Sequence, residues 1–425
     1  MRTVKVGLLG LGTVGGGVYK LIERQKEEMA DKTGANVEIA GILVHNLNKK
    51  REGVDENLLT DRWEDIIEND EIGIIIEVMG GIEPARTMIG EALCAGKNVI
   101  TANKDLLAMY GEELLAVAEE KKLDLMFEAA VAGGIPIMRP LRQCLAGNEI
   151  SEVMGIVNGT TNYILTKMFE KGMSFEEALA KATELGYAEA DPTADIEGLD
   201  AGRKVAIMAS SAFHSRVVFD DVHVEGITKI TAQDIKYAKE FDSVIKLIGI
   251  AKNTPEGVEA CVYPMLLSEE HPLASVRNSF NGVFVHGDAA DDVMFYGRGA
   301  GELPTASAVM GDVIDVVRNI VCGCTGRITC TCYRDTPVKK FDDIRNKFFL
   351  RMQVDNQPGV LASIASVFGA HKVSINKVVQ KIVTDGIAEL VIVTDAVKEY
   401  HMQNALDHLL CMKTVKEISS VIREY

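Results

Sequence analysis

The segment Gly10-Leu11-Gly12-Thr13-Val14-Gly15 follows directly on an apolar run, TVKVGLL at residues 3–9, and Val18, Leu21 and Ile22 recur behind it at helical spacing. Strand, glycine turn and helix in that order leave few folds open. Gly10 makes the tight turn, Gly12 lets a pyrophosphate approach the backbone, and Gly15 permits close packing of helix on strand. Thr13 and Val14 lie inside the turn and belong to the same cofactor-binding set. The helix N-terminus then presents its positive dipole end to the phosphates. The pattern predicts an α/β chain that begins with a dinucleotide-binding unit.

The strand–helix rhythm continues as a parallel sheet requires. Strands are predicted over 37–44, 72–78, 98–101 and 124–128, with helices over 85–95 and 110–121. In an NAD site an acidic residue just after the second strand binds the ribose 2′-hydroxyl. Here the chain reads Val44-His45-Asn46 and then Lys49-Lys50-Arg51, with no carboxylate. Three cations suit the 2′-phosphate of NADP, and they equally suit a solvated loop. NAD and NADP both stay open.

A chain of 425 residues is too long for one core, so two or three domains are expected. Its net charge of −17 argues against nucleic acid, whose phosphates need a clustered basic surface. Apolar runs fall short of the roughly 18 residues that span a bilayer. The N-terminus enters a strand without a signal-peptide pattern, which predicts a cytoplasmic protein. Eight cysteines are too sparse for a disulfide scaffold. Cys94, Cys144, Cys261 and Cys411 are isolated, whereas Cys322-x-Cys324-x5-Cys330-x-Cys332 forms a cluster. Its spacing matches no zinc pattern, and reduced thiols at a domain junction are the simplest reading.

Three stretches carry candidate chemistry. Thr101-Ala-Asn-Lys104 closes an apolar strand, where open parallel sheets bind ligands, so Lys104 could pair with a cofactor phosphate or a substrate carboxylate. Glu128-Ala-Ala-Val131-Ala-Gly133-Gly134-Ile135-Pro136 offers a carboxylate and several carbonyls on a loosened backbone, a setting for a hard cation or for a buried Glu capping a turn. Between Gly186 and Lys204 a loop carrying Glu189, Asp191, Asp195 and Glu197 runs into a predicted helix. Asp200 and Lys204, four apart, share one face of it. The apolar stretch Val205-Ala-Ile-Met-Ala209 predicts that the helix is buried, and a buried Asp–Lys pair is seldom kept for stability alone. Carbonyl reduction needs a proton for the developing alkoxide, which a positioned lysine supplies. Glu189 could grip an ammonium group.

These blocks, with Asn158-Gly-Thr-Thr-Asn162-Tyr-Ile-Leu165 and Gly297-Arg-Gly-Ala-Gly301-Glu-Leu-Pro-Thr305-Ala-Ser, resemble homoserine dehydrogenase in order and spacing over essentially the whole chain. The resemblance implies an NAD(P)-dependent oxidoreductase that interconverts L-aspartate 4-semialdehyde and L-homoserine in threonine, methionine and isoleucine biosynthesis. It implies that Lys204 is the proton donor to the aldehyde oxygen and Lys104 a second essential lysine near cofactor and substrate. Asp200 and Glu189 would bind the substrate's amino group and hydroxyl, and Gly186 and Gly301 would line the nicotinamide side. Glu128, Val131, Gly133 and Ile135 would form a sodium site, the last three through carbonyls. The implied fold is a Rossmann-like domain over 1–150 and an α+β catalytic and dimerisation domain with an open sheet over 151–320. Residues 301–320 would return to the first domain, with a linker over 321–345. Within the second segment the pattern reads residues 259–266 and 282–285 as strands, and 175–184 and 243–250 as helix-like.

From 346 to 425 a new unit is predicted. Strand 348–354, the turn Asp355-Asn-Gln-Pro358-Gly359, helix 360–368, strands 373–380 and 387–394 around Thr384-Asp385-Gly386, helix 401–410 and strand 417–422 give βαββαβ, the ferredoxin-like plan. Asp355-x-x-Pro358-Gly359-Val360-Leu361 and Ile375-Asn376 resemble an ACT domain. That implies an amino-acid effector, L-threonine in this family, met by Asp355, Gly359 and Asn376 at paired interfaces of a homodimer or homotetramer. A purely assembling role fits the same pattern.

Two rival readings were weighed. A catalytically dead regulator has no physical need to keep Glu189, Asp200 and Lys204 together. A hydroxy-acid dehydrogenase usually uses a His–Asp dyad, and no His lies near the proposed helix before His214.

Overall fold

The computed structural model describes residues 1–328 and 330–425, and for 382–384 the backbone alone. Among these residues no helix is long and apolar enough to cross a membrane.

The chain opens with β1 (Arg2–Leu9), α1 (Thr13–Arg24), α2 (Lys26–Thr33), β2 (Ala35–Leu43), β3 (Leu59–Thr60), α3 (Glu64–Ile67), β4 (Ile72–Glu77), α4 (Ala85–Cys94), β5 (Asn98–Thr101), α5 (Lys104–Lys121) and β6 (Leu125–Met126). The strands form one parallel sheet in the order β3-β2-β1-β4-β5-β6. This is the Rossmann-like order, whose chain reverses direction at β1/β4 and leaves a ligand crevice at the strand C-termini. Val6 and Leu8 of β1 join one apolar cluster with Val18 and Ile22, while Leu9 joins another with Ile75, Ile89 and Leu106. Both faces are buried, so the strands read as continuous apolar runs.

Next come β7 (Ile150–Ile156), α6 (Gly159–Lys171), α7 (Phe175–Glu184), α8 (Thr193–Ile196), α9 (Leu199–Phe213), β8 (His223–Val224), α10 (Ala232–Glu240), β9 (Ser243–Thr254), β10 (Gly257–Ser268), β11 (Phe280–Gly287), β12 (Asp291–Arg298) and α11 (Glu302–Cys322). The last segment is β13 (Arg345–Asp355), α12 (Val360–Ala370), β14 (Ile375–Thr384), β15 (Ile387–Thr394), β16 (Val397–Lys398), α13 (Glu399–Leu410) and β17 (Val415–Glu424). The chain divides into two compact units: Met1–Val153 with Arg203–Val222 and Phe280–Thr336, and Met154–Gly202 with His223–Ser279 and Pro337–Tyr425.

Within the first unit α11 packs on the nucleotide sheet. Val309, Val313, Val316 and Val317 enter the cluster of α1, and Lys20 pairs with Glu302 at 2.6 Å.

Within the second unit six strands are consecutive neighbours, β9-β10-β17-β13-β15-β14. One expectation fails here. Residues 243–250 read as helix-like, yet they begin β9, paired antiparallel with β10 over its whole length. Val244 to Ala251 are buried on both faces, which erases the two-residue alternation that marks a half-buried strand. The β-branched Val244, Ile245, Ile248 and Ile250 were the better signal.

The C-terminal segment has the βαββαβ order. Phe348, Leu350, Met352 and Val354 point into a core with Ile364, Phe368, Met402 and Leu409. The opposite face of β13 meets α10. Phe349 lies 6.3 Å from the Tyr237 ring, and buried Arg351 is held by Asp234 at 2.9 Å and Glu389 at 3.1 Å. Removing one member of such a buried charge set costs about 3–5 kcal/mol, because its partners stay desolvated.

Candidate active site

The first unit provides the nucleotide end. Gly10 leaves β1 at φ +97° and its N–H donates to the Leu43 carbonyl at 3.0 Å. A Cβ on Gly15 would stand 2.1 Å from the Gly10 oxygen, so helix and turn touch only because Gly15 has none. Gly12 caps α1 and faces open space, and Thr13 and Val14 begin the helix. No acidic residue occupies the first turn of α1. Unsatisfied N–H groups with no local carboxylate make an anion site. Beyond β2, His45, Asn46, Lys49 and Lys50 are exposed. Arg51 folds back and donates to the carbonyls of Lys49 (2.8 Å) and Asn46 (3.0 Å).

At the ends of β4 and β5, Glu77 is fully buried, accepting from Met79 N–H (2.8 Å), Gly80 N–H (3.2 Å) and the Thr101 hydroxyl (2.6 Å). Asn103 caps α5 by accepting from Leu106 N–H (3.1 Å), while its amide donates to the Gly81 carbonyl (2.6 Å). These bonds fix the start of α5, whose first residue is half-buried Lys104. The sequence reading missed Glu77 and Asn103. A carboxylate ending an apolar strand and an Asn before a helix were the available signals.

Glu128 is buried, and its oxygens accept the N–H groups of Ile137 (2.5 Å), Met138 (2.8 Å) and Arg139 (2.8 Å). Its carboxylate therefore caps a helical turn. Its own N–H donates to buried Asp312 (2.9 Å), whose pKa is pushed up to about 7, first by burial and then by Glu128, with Arg139 opposing. Val131, Gly133 and Ile135 are buried, and among the described residues their carbonyls accept no hydrogen bond. Buried carbonyls are rarely left so. The described residues contain no cluster of three or more His, Cys, Asp or Glu side chains suited to a metal. Gly134 N–H donates to the Arg298 carbonyl at 3.0 Å, which lays this loop against the segment leading to Gly301, the cap of α11.

The second unit provides the carboxylates. Asn158 caps α6, accepting from Thr161 N–H and hydroxyl (both 2.9 Å). Its amide then donates to Asp195 (2.6 Å) and Asp200 (2.9 Å), drawing the two carboxylates together. Thr160 donates to the Tyr187 carbonyl (2.7 Å), which ties the loop after α7 to the same helix. Gly186 turns at φ +74° just past α7. Glu189 is exposed and makes no hydrogen bond or ion pair among the described residues. α9 is shared between the units: Asp200 lies in its first turn, and Lys204, half-buried, one turn on. The roles of Asn158 and Asp195 were not foreseen, although Asn-Gly-Thr-Thr before a helix is a capping signal.

At the other end of the second unit, Asp355 pairs with Lys416 at 2.9 Å, and Gly359 caps α12 at φ +90°. Asn376 donates to Asp395 (3.1 Å), so these three residues are not joined to one another by hydrogen bonds. The cysteine cluster is split. Cys322 ends α11, Cys324 lies 3.7 Å from the Asn319 oxygen, and all eight cysteines are free thiols.

The family model described as homoserine dehydrogenase, NAD binding domain, matches residues 10–128, that described as homoserine dehydrogenase matches 136–314, and an ACT domain model matches 348–409. The homoserine dehydrogenase of Bacillus subtilis (strain 168) is 44% identical over 426 residues, covering 100% of this chain and 98% of the relative. That of Corynebacterium glutamicum is 46% identical over 426 residues, covering 99% and 95%. The crystal structure of a homoserine dehydrogenase from Thiobacillus denitrificans superposes with a TM-score of 0.95 at 39% identity, covering 100% of this chain and 99% of that one. Family-model matches and relatives along the whole length lead to one conclusion: the chain is an oxidoreductase that belongs to the homoserine dehydrogenase family.

Proposed function

We propose that the chain reversibly reduces L-aspartate 4-semialdehyde to L-homoserine in the cytoplasm, within threonine, methionine and isoleucine synthesis, as a homodimer or homotetramer inhibited by L-threonine. One observation carries the catalytic reading: the Asn158 amide holds Asp195 and Asp200 side by side at the start of the helix that bears Lys204. A bound nicotinamide supplies the hydride. Asp200 binds the substrate's ammonium group, and Glu189 adds a second carboxylate for its polar groups. Lys204 donates a proton to the aldehyde oxygen as negative charge gathers there. Lys104, fixed by the Asn103 cap, supplies a cation for cofactor phosphate or substrate carboxylate. Backbone at Gly186 and Gly301 lines the nicotinamide.

The loop after β2 supports NADP over NAD. Lys49 and Lys50 are exposed and no carboxylate stands at residues 44–51. A sodium ion suits the bare carbonyls of Val131, Gly133 and Ile135, which would hold it, whereas the Glu128 carboxylate is engaged as a cap.

The test follows absorbance at 340 nm during homoserine oxidation with NADP and NAD in parallel, with and without L-threonine. Lys204→Ala should lower turnover about 10³-fold, within the range general acid catalysis supplies, while NADPH affinity measured by fluorescence stays within two-fold. Near-normal turnover in that variant removes Lys204 from the proton-donor role. Activity indifferent to threonine removes the regulatory part alone.

A further inference from the structure

Cys330 and Cys332 take no part in the proposed reaction, and their surroundings in the first unit are specific. The segment after them runs along the end of α9. Arg334 N–H donates to the His214 carbonyl (2.8 Å), Ser215 hydroxyl to the Arg334 carbonyl (3.0 Å), and Thr336 N–H to the Ser215 oxygen (2.7 Å). Tyr333 stacks on His214 with ring centres 4.7 Å apart. The segment is therefore clamped rather than draped on the surface.

Here the Tyr333 N–H donates to the Thr331 carbonyl (2.9 Å), a tight turn centred on Cys332, both cysteines line one pocket, and the Cys332 sulfur lies 3.7 Å from the Ser210 carbonyl. The hydrogen bond from Cys332 brings the Cys330 thiol down to about 6, with the Arg142 cation adding to the effect. The same contact pushes the Cys332 thiol up. The two thiols are thus pushed in opposite directions, the division that an attacking and a resolving thiol need. Both sulfurs border a small pocket of about 30 Å³ walled by Leu107 and Gly111 of α5, Ser210 of α9, and the cations Arg142 and Arg216. A small oxidant fits beside them.

We propose that Cys330 and Cys332 are a reversible dithiol–disulfide site that lowers turnover when oxidised by a peroxide. The Cys330 thiolate attacks one peroxide oxygen, the O–O bond breaks, and hydroxide leaves to give a sulfenic acid at Cys330. The Cys332 sulfur then attacks that sulfur, its thiol proton goes to the departing hydroxide, and water leaves as the S–S bond forms. The peroxide is reduced by two electrons and the pair loses two hydrogens. Two residues of chain span at most about 7 Å between Cα atoms, at the upper edge of what a disulfide bridges. Closing the S–S bond tightens this turn. That tightening draws the Cys332 sulfur away from Ser210 and removes the negative charge beside Arg142. The walls that feel it are α5 and α9, the helices that carry Lys104 and Lys204.

The experiment treats the full-length protein with hydrogen peroxide and follows mass and activity together. Cleavage after Arg327 and Arg334 releases residues 328–334, which contain both cysteines. The expected result is a loss of 2 Da on that peptide, reversed by dithiothreitol and absent from Cys330→Ser and Cys332→Ser. Homoserine oxidation should fall at least about five-fold, the lower end of typical site-to-site coupling, and recover on reduction. Cys330→Ser should keep its basal turnover and resist peroxide. Oxygen added to either cysteine without the 2 Da loss overturns the proposal, as does a disulfide that leaves turnover unchanged. The mass readout needs no catalytic assignment, so failure here is separable from failure of the Lys204 role.

Discussion

Two helix N-termini in this chain are built alike and differ in the charges beside them. α1 and α12 both follow a strand, both are capped by a glycine with open space around it, and neither has an acidic residue in its first turn. Each therefore offers bare N–H groups at the positive end of a helix. What differs is the mouth. Residues 10–17 before and within α1 carry no charge at all. Before α12 stands Asp355, paired with Lys416, and Asn356 accepts from Gln380 at 3.1 Å. A neutral mouth takes a pyrophosphate. On the function proposed above, a mouth with one anion and one cation matches a zwitterion, which is the charge pattern of a free amino acid. The backbone device gives affinity for an anionic group, and the side chains beside it choose which molecule brings that group.

The largest test of this contrast is Gly15→Val. A side chain there meets the Gly10 carbonyl at 2.1 Å, and neither backbone can yield without opening the turn. NADPH affinity should drop by roughly 100-fold or more, the loss of several charge-assisted hydrogen bonds. Threonine binding, followed by calorimetry on the same sample, should be intact and shows that the protein is folded. Unimpaired NADPH binding would mean that the α1 turn does not hold the cofactor.

How much of this was legible beforehand depended on whether the signal was local. The α1 turn was, because glycine spacing and helical periodicity sit within fifteen residues. The C-terminal plan was too: Asp385 and Gly386 adopt φ of 52° and 80°, the left-handed pair that a two-residue hairpin turn requires. Residues 243–250 were misread because β9 is buried on both faces, and an apolar run without alternation has no period to read. Glu128 shows a subtler limit. Its sequence neighbourhood suits a cation site and a helix cap equally, and only the N–H groups of residues 137–139, folded back onto it, assign its carboxylate to the cap. Asn158 joins residues 37 and 42 positions away, a distance over which no spacing rule operates.

A smaller effect is expected at the second mouth. Asp355→Ala removes the anion that pairs with Lys416 and that would face the ammonium group of an amino acid. A hydrogen bond to a charged group is worth about 1.5–3 kcal/mol, so threonine affinity should weaken by roughly ten-fold or more with NADPH affinity unchanged. Equal weakening for both ligands would mean that the substitution acts on folding. An unchanged threonine affinity would take Asp355 out of the effector site and, with it, the charge argument for α12.

The finest test compares the two capping glycines directly. Gly12 lies at φ −85°, where alanine is at ease, and Gly359 at φ +90°, where it is not. Neither has an atom within 4 Å of a built Cβ, so crowding cannot confuse the result. Gly12→Ala should leave thermal stability within about half a kcal/mol, the usual range for an unstrained surface change. Gly359→Ala should cost about 1–2 kcal/mol for the left-handed backbone, which for a unit the size of the second, about 150–250 residues, lowers its melting point by roughly 2–8 °C. Threonine, binding the folded form, should restore part of that loss in proportion to its concentration. NADPH should not. If Gly12→Ala proves the more destabilising of the two, the helices do not differ in backbone strain as argued, and charge at the mouth alone must account for their different ligands.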